Sequence, residues 1–440
     1  MTLDKPHSLI ANFEPLEGVL SLFGPESLKP WRRSNFARFE AAGIPTTRDE
    51  EFKYLSLRKL SETVFQPAYG ATVYRQDLDS HPVCSLDAYT LAFINGQFAP
   101  ELSNTAGLPD GVALIDFEEA FETHSSEMSM LGSIATLESK LGSTNDERFV
   151  WLNSAFLSEG AFFKVPQGVV VEKPIHLLFL NDADHGAFAA HPRVLILIGE
   201  NAQVKVIETH LGLNDNLYFS NAVVEISVGA GAVVEHTKVQ IEGSTTVHIA
   251  NTYVHQHSNS TYTSSLATFG AAVSRSEINA FIDGEHTETW LNGAYIGKGD
   301  QVHDNHTRID HAKPNCHSFE VYKGILDDSS VGVFNGKIFV YEDAQKTDAK
   351  QTNQALLLSP TATINTKPQL EIFADDVKCT HGATIGQLRD DALFYLRARG
   401  IPESEARGLL VYAFAAEAFA RISVEPLKEL LEKMLRARMK

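Results

Sequence analysis

Gly199-Glu200-Asn201-Ala202-Gln203-Val204 is echoed by Gly229-Ala230-Gly231-Ala232-Val233-Val234. Each copy follows an apolar run, Val194-Leu195-Ile196-Leu197-Ile198 in the first case and Ala222-Val223-Val224-Glu225-Ile226 in the second. The recurring unit is a strand, a glycine-rich corner and another strand. One such unit cannot bury its apolar face alone, whereas stacked copies can, which is the logic of a solenoid or β-helix. Short Val/Ile/Thr-rich strands separated by Gly, Asn and Asp turns continue from about Gly160 to about Gly386. Gly168-Val169-Val170-Val171 and Lys337-Ile338-Phe339-Val340-Tyr341 are further examples. Strand texture alone leaves a sandwich or barrel open too, since these run to roughly 200–250 residues. The strict hexapeptide period of a left-handed acyltransferase helix is absent.

On both sides of this region the texture is helical or mixed. Pro25 to Ala42 carries Leu28, Trp31, Phe36 and Phe39 among Lys and Arg, and Gly43 followed by Pro45 would stop the helix. Thr46 to Tyr54 places cap residues before acidic first-turn positions, the start of a further helix. Leu91 to Phe98, with Asn95-Gly96 inside it, reads as strand and turn, and residues 110 to 160 read as helical. Beyond Gly386, Gln387 to Arg399 ends at Gly400, a natural C′ residue, and Pro402 suits the next helix's first turn. That helix repeats Leu409, Tyr412, Ala413, Ala416, Phe419 and Ala420, and the last carries Leu427, Leu430, Leu431, Met434 and Leu435. Both stripes need cover, from the β body or from a partner. The expected organisation is a mainly β protein: a helical or mixed domain over 1–159, a β core over 160–386 and a helical domain over 387–440.

The chain has 440 residues, 43% of them hydrophobic, enough for a large core. Its 37 Lys plus Arg against 56 Asp plus Glu leave a formal charge of -19, which repels phosphate backbones and anionic lipid. Nucleic acid and membrane partners are therefore not expected. No basic n-region precedes a long apolar h-region, and the most apolar stretch, Leu409 to Ala420, is short for a bilayer and holds Glu417. A soluble cytoplasmic protein is the expectation. The three cysteines, Cys84, Cys316 and Cys379, contain no C-x-x-C pair and argue against disulfides or a structural zinc module.

Phosphate loops, dinucleotide fingerprints and nucleophile elbows are missing. Histidine is frequent instead: His248, His255, His257, His286, His303, His306, His311, His317 and His381. A metal site could be drawn from His303-x-x-His306 with His311, but residues three apart on a strand face opposite ways. Most of these histidines are expected to face solvent or stack along rungs. The cluster Cys379-Thr380-His381 differs, because on a strand its sulfur and imidazole share a face and could ligate a soft metal or iron–sulfur group. A buried cysteine beside a hydrogen-bonded histidine has the same spacing, and two ligands do not complete a site.

The chain resembles the SufD branch of the SufB/SufD family of iron–sulfur cluster assembly scaffold proteins. The carriers begin with Arg48-Asp49-Glu50-Glu51-Phe52-Lys53-Tyr54, then Glu159-Gly160-Ala161-Phe162-Phe163-Lys164-Val165-Pro166 and Val171-Glu172-Lys173-Pro174-Ile175. They continue with Gln345-Lys346-Thr347-Asp348-Ala349, Gln354-Ala355-Leu356-Leu357-Leu358-Ser359 and Asn365-Thr366-Lys367-Pro368-Gln369-Leu370-Glu371-Ile372. The run Cys379 to Thr384, then Leu393-Phe394-Tyr395-Leu396 and Arg399-Gly400-Ile401, complete the series. Gly382 stands where the SufB pattern has Glu after Cys-x-His, and Phe52 where Trp is frequent in SufD.

The resemblance implies a right-handed parallel β-helix with helical N- and C-terminal domains. It implies a SufB heterodimer formed through the β-helices, SufC ATPase subunits docked on the C-terminal helices, and possible homodimers of the chain alone. It also implies that His381, with Cys379 beside it, contributes to a site for a nascent iron–sulfur cluster or iron shared with SufB. No cofactor is expected in the isolated chain, nor catalysis by it. The competing expectation is a metal-dependent β-helix enzyme built on the histidine-rich rungs with Asp304 and Asp310.

Overall fold

The computed structural model describes residues 7–68, 70–137 and 146–438. From Ala161 onward successive long strands go alternately to two parallel sheets. One sheet holds Ala161–Val165, Arg193–Ile198, Phe219–Val228, Val247–Gln256, Val273–Ile282, Val302–His311, Val331–Val340 and Thr363–Ile372 in spatial order. The other holds Ile175–Asn181, Gln203–Gly212, Val233–Ile241, Thr261–Thr268, Glu288–Gly297, His317–Leu326, Asp348–Leu357 and Lys378–Gln387. Each strand pairs in parallel with the strand one coil away, so the body is a β-helix of eight coils among the described residues. The sandwich and barrel alternatives fall away.

The repeat at Gly199 to Val204 and Gly229 to Val234 is the corner between the two sheets. Asn201, Gly231, Asn259, His286, Asn315 and Lys346 all have positive φ and occupy equivalent turns of successive coils. Asn201 N–H donates to Ala230 O, Gly231 N–H to Ser258 O and Asn259 N–H to Glu285 O, so the corners stack through their backbones. Gly229 is required by this stacking: a Cβ there would lie 2.7 Å from Ile198 O and 2.8 Å from Glu200 N.

Alternation then decides what is inside. Val204, Val206, Val234, Tyr262, Leu291 and Tyr322 from one sheet meet Val224, Ile226, Val254, Ile278 and Ile309 from the other. The outward residues are covered by helices. On the first sheet Phe39, Phe52, Phe149 and Leu152 pack on Phe219, Val247 and Ile249, bringing in helices Leu28–Ala42 and Arg148–Ala155. On the second, helices Glu403–Ala415 and Glu425–Arg438 lay Val411, Ala415, Leu427, Leu431 and Leu435 over Val239, Ala267, Ala294 and Ile325. Each fully buried leucine in that stripe contributes roughly 2 kcal/mol of transfer free energy.

Three local expectations change. Strands preceding residue 160 complete the sheets: Tyr89–Ile94 pairs in parallel with Ile175–Asn181, and Ala113–Asp116 pairs antiparallel with Ala161–Val165. The stretch 110 to 160 is therefore not helical throughout, because the first coil's open edge recruits Ala113–Asp116; residues 138–145 lie outside the described ones. Asp116 then caps helix Phe117–Thr123, accepting from Glu119 N at 3.1 Å. Thr46 to Tyr54 forms one 3-10 turn, Glu50–Phe52, since its acids are engaged by distant cations. Gln387 ends a strand, so the following helix spans Asp390–Ala398, with Gly400 at φ 87° after it. The strand and turn expected at Leu91 to Phe98 are present, with Asn95 at φ 52° and Gly96 at φ 83°.

Candidate functional site

The two ends of the β-helix differ. The first coil is closed by the antiparallel strands Ala113–Asp116 and Gln97–Phe98. At the other end Thr363–Ile372 and Lys378–Gln387 each have a strand partner on one side only among the described residues. Ile372, Phe373 and Ile385 are exposed there. Cys379 and His381 lie on this last strand, opposite Ala349 and Gln351 of the strand before.

Because Lys378–Gln387 is extended, the two side chains share the face that continues the solenoid interior. Cys379 packs half-buried with Ile338, Ala349 and Ala374, while His381 is exposed. Burial raises the Cys379 thiol above its ordinary value, with Asp348 adding to the rise and the Ala349 backbone opposing it. Cys379 is thus a thiol at neutral pH and must lose a proton to ligate a metal. His381 offers an imidazole at the rim with open space around Gly382 beside it. Cys379 and His381 lie two residues apart on this face, and no group of three or more metal-ligating side chains is assembled among the described residues.

The histidine-rich rungs do not converge. His303 and His311 face inward, His306 faces outward, and all three are buried. Of the two expected placements, solvent-facing or within the rungs, these three and His248 take the second; His255 and His257 are half-buried, and His286 and His317 are exposed. Asp304 is held by Arg275 at 2.6 Å and by His306 at 2.9 Å, and Asp310 by Arg308, so both carboxylates are engaged in ion pairs.

An interior polar network has no counterpart in the motifs. Glu208 accepts from His210 Nε2 at 2.7 Å and His236 Nε2 at 2.9 Å, with Lys238 Nζ at 3.8 Å. Lys238 Nζ lies 3.1 Å from His248 Nε2, and His248 Nδ1 lies 2.8 Å from Glu242, which also accepts from Gln240 and Tyr218. Burial works to raise Glu208, but Lys238 and the two imidazoles outweigh it and hold the carboxylate well below its ordinary range. Burial pushes His248 down to about 4, so its ring is neutral, Nε2 accepting from Lys238 and Nδ1–H facing Glu242. A cavity of about 20 Å³ beside Lys238, lined also by His236, Ser264, Ser276 and Tyr322, has room for one water. The readable signal was period two: Val204 and Val206 continue on the same face as Glu208 and His210.

The run Arg48 to Tyr54 is an anchor on the outside of the first sheet. Glu51 receives Lys337 Nζ at 2.7 Å and Asn335 Nδ2 at 3.3 Å, with His306 Nδ1 3.5 Å away. Its backbone carbonyl accepts from Arg275, whose guanidinium lies 4.2 Å from the Phe52 ring centroid. Burial would raise Glu51, yet the hydrogen bonds from His306 and Lys337 hold it far below the carboxylate range.

Residues 179–414 match the family model described as SUF system FeS cluster assembly, SufBD core domain, and residues 5–177 match the SufBD protein N-terminal region. The chain is 35% identical over 405 residues to an iron–sulfur cluster assembly SufBD family protein of Synechocystis, covering 90% of this chain and 87% of the relative. It is 32% identical to the iron–sulfur cluster assembly protein SufD of Escherichia coli, covering 93% of each. With protein ABCI7, chloroplastic, of Arabidopsis thaliana it shares 30% identity over 92% of this chain and 85% of the relative. The SufBD models together cover the N-terminal region and the whole β-helix with its open end at Cys379 and His381, and the chain belongs to the SufBD family of iron–sulfur cluster assembly proteins.

Proposed function

We propose that the chain is a SufD-type scaffold subunit whose open β-helix end pairs with SufB and whose C-terminal helices dock the SufC ATPase. The observation that carries this is the asymmetry of the solenoid: its own chain caps one end, while the other presents bare strands, exposed Ile372, Phe373 and Ile385, and His381. A second β-helix set against that end would cover the apolar side chains and bring further ligands to His381 and Cys379. Nascent cluster or iron is the cargo, shared with SufB, with no resident cofactor in the isolated chain. Alone, the chain pairs with a second copy through the same end. Phe394, Tyr395 and Leu409 are exposed on the C-terminal helices and supply the apolar contacts for SufC. No helix is long and apolar enough to cross a membrane among the described residues; the chain works in the cytoplasm and leaves ATP chemistry to SufC. Its working division is 1–159, 160–386 and 387–440.

His381→Ala is the test. It removes a rim imidazole and little core, so folding and SufB binding stay within about 0.5 kcal/mol of wild type. Cluster formation on the SufB–SufC–SufD complex falls at least tenfold, and Cys379→Ala has a milder effect. A His381→Ala complex that assembles clusters at the wild-type rate removes the ligand assignment.

A further inference from the structure

Three consecutive rungs place Glu320, Gln351 and His381 directly above one another on the interior face of the second sheet. Glu320 Oε2 accepts from Thr307 Oγ1 at 2.8 Å and from Gln351 Nε2 at 3.3 Å. The amino end of the Gln351 amide is thereby committed to the rung below. Its carbonyl end, Oε1, is buried and has no hydrogen-bond partner among the described residues, although the residue is only 2% exposed. An acceptor left unsatisfied in a dry interior is costly, and a donor that reaches it is favoured. The sheet opposite makes room for the amide with a glycine, since a Cβ on Gly336 would fall 1.4 Å from Gln351 Nε2. Neighbouring rungs are about 4.8 Å apart, a separation that a glutamine carbonyl and an imidazole N–H bridge easily.

Resting on the reading of His381 as a cargo ligand, we propose that Gln351, oriented by Glu320, is a positioning residue that accepts one ring N–H of His381 and leaves the other nitrogen bare toward the cargo. The relation is that of an outer-shell acceptor that fixes the tautomer of a metal-binding histidine. Glu320 decides which end of the Gln351 amide faces His381, so the ladder works from the interior outward. Asn353, on the next interior position along the same strand, donates to Thr366 at 3.0 Å and lies opposite Ala383, so it is Gln351 that the register sets against the ring.

The experiment measures the ring nitrogens of His381 by ¹⁵N NMR in the full-length chain labelled at histidine, with the signals assigned by loss in His381→Ala. In the wild type one nitrogen is protonated and the other is not. Gln351→Met, which keeps length and loses the acceptor, averages the two shifts toward a tautomer mixture. Gln351→Asn withdraws the carbonyl by one methylene and gives the same result as Gln351→Met should the latter fold poorly. In the complex with SufB and SufC, Gln351→Met lowers cluster formation about tenfold. An unchanged tautomer ratio in folded Gln351→Met and Gln351→Asn overturns the proposal even if His381→Ala abolishes assembly. A tautomer that shifts as expected, with His381→Ala fully active, leaves the positioning intact and overturns the ligand reading instead.

Discussion

Glu320 is a carboxyl group sealed inside the solenoid with one oxygen unpartnered, and burial raises it to about 7 from an ordinary 4.5, against the hydrogen bonds from Thr307 and Gln351. The folded protein holds that proton more tightly than the unfolded chain does. Its contribution to stability is therefore fully present below about pH 4.5, is lost as the pH rises to about 7, and is flat beyond. A difference of about 2.5 units corresponds to roughly 3 kcal/mol at most. Glu320→Gln abolishes this term, so the variant should gain on the wild type between pH 5 and pH 8 by about 1–3 kcal/mol. Urea unfolding of both proteins at the two pH values measures it, and an equal difference at each pH would refute the assignment. Lys238 and Glu208 behave differently because each has the other: such a pair contributes little net stability while intact, but removing one partner costs about 3–5 kcal/mol. Little of this was legible in the sequence. Histidines and acids in a strand-rich region suggest surface chemistry until the coil register turns Glu208, His236 and Glu320 inward.

At the scale of elements, the motif Arg48 to Tyr54 shows why local pattern ran short. Thr46 and the acids after it have the grammar of a helix start, yet Asp49 pairs with Arg148 at 2.8 Å and Glu51 with Lys337, partners far away in the chain. Asp49 keeps its local bond from Thr46 N–H at 2.7 Å, but its other oxygen and the Glu51 carboxylate are drawn to distant cations, and only Glu50–Phe52 turns. By contrast the helix Leu28–Ala42, the strand and turn at Tyr89–Phe98, and the C-terminal helices were readable because their periodicity and glycine stops are local. The anchor has a measurable strength. Glu51→Ala would leave Lys337 and His306 without their shared carboxylate, at a cost of about 2–3 kcal/mol. The loss should be confined to the seam between the N-terminal helices and the first sheet. Expected is faster tryptic cleavage at Arg48 and Lys53, with hydrogen exchange in Thr261–Thr268 of the second sheet unchanged. Uniformly faster exchange through the coils would mean that Glu51 stabilises the solenoid itself and not the seam.

Across the whole molecule, strand repetition was visible in the sequence but its direction of closure was not. The corner repeat at Asn201 and Gly231 announces stacking, whereas the capping of the first coil depends on Ala113–Asp116, four residues with no strong strand signal. That cap makes the molecule polar, with one finished end and one unfinished. Unfinished parallel edges are usually guarded by Lys or Pro, and Thr363–Ile372 has both in Lys367 and Pro368. The companion edge has Lys378 only at its start, and the stretch from Cys379 to Gln387 contains no Lys, Arg, Asp, Glu or Pro. An unguarded edge beside exposed Ile385 is suited to being covered by another chain. Ile385→Lys places a charge there at a side chain that is 52% exposed, so the fold should change by no more than about 0.5 kcal/mol. Covering that lysine on assembly would bury an unpaired ammonium, and several kcal/mol are then lost from association. Sedimentation should show Ile385→Lys as a monomer where the wild-type chain self-associates, and mixing with SufB should give markedly less heterodimer. Val64→Lys, 77% exposed and remote from this end, serves as the control for added charge and should assemble normally. If Ile385→Lys dimerises and binds SufB as the wild type does, the open end is not the assembly surface.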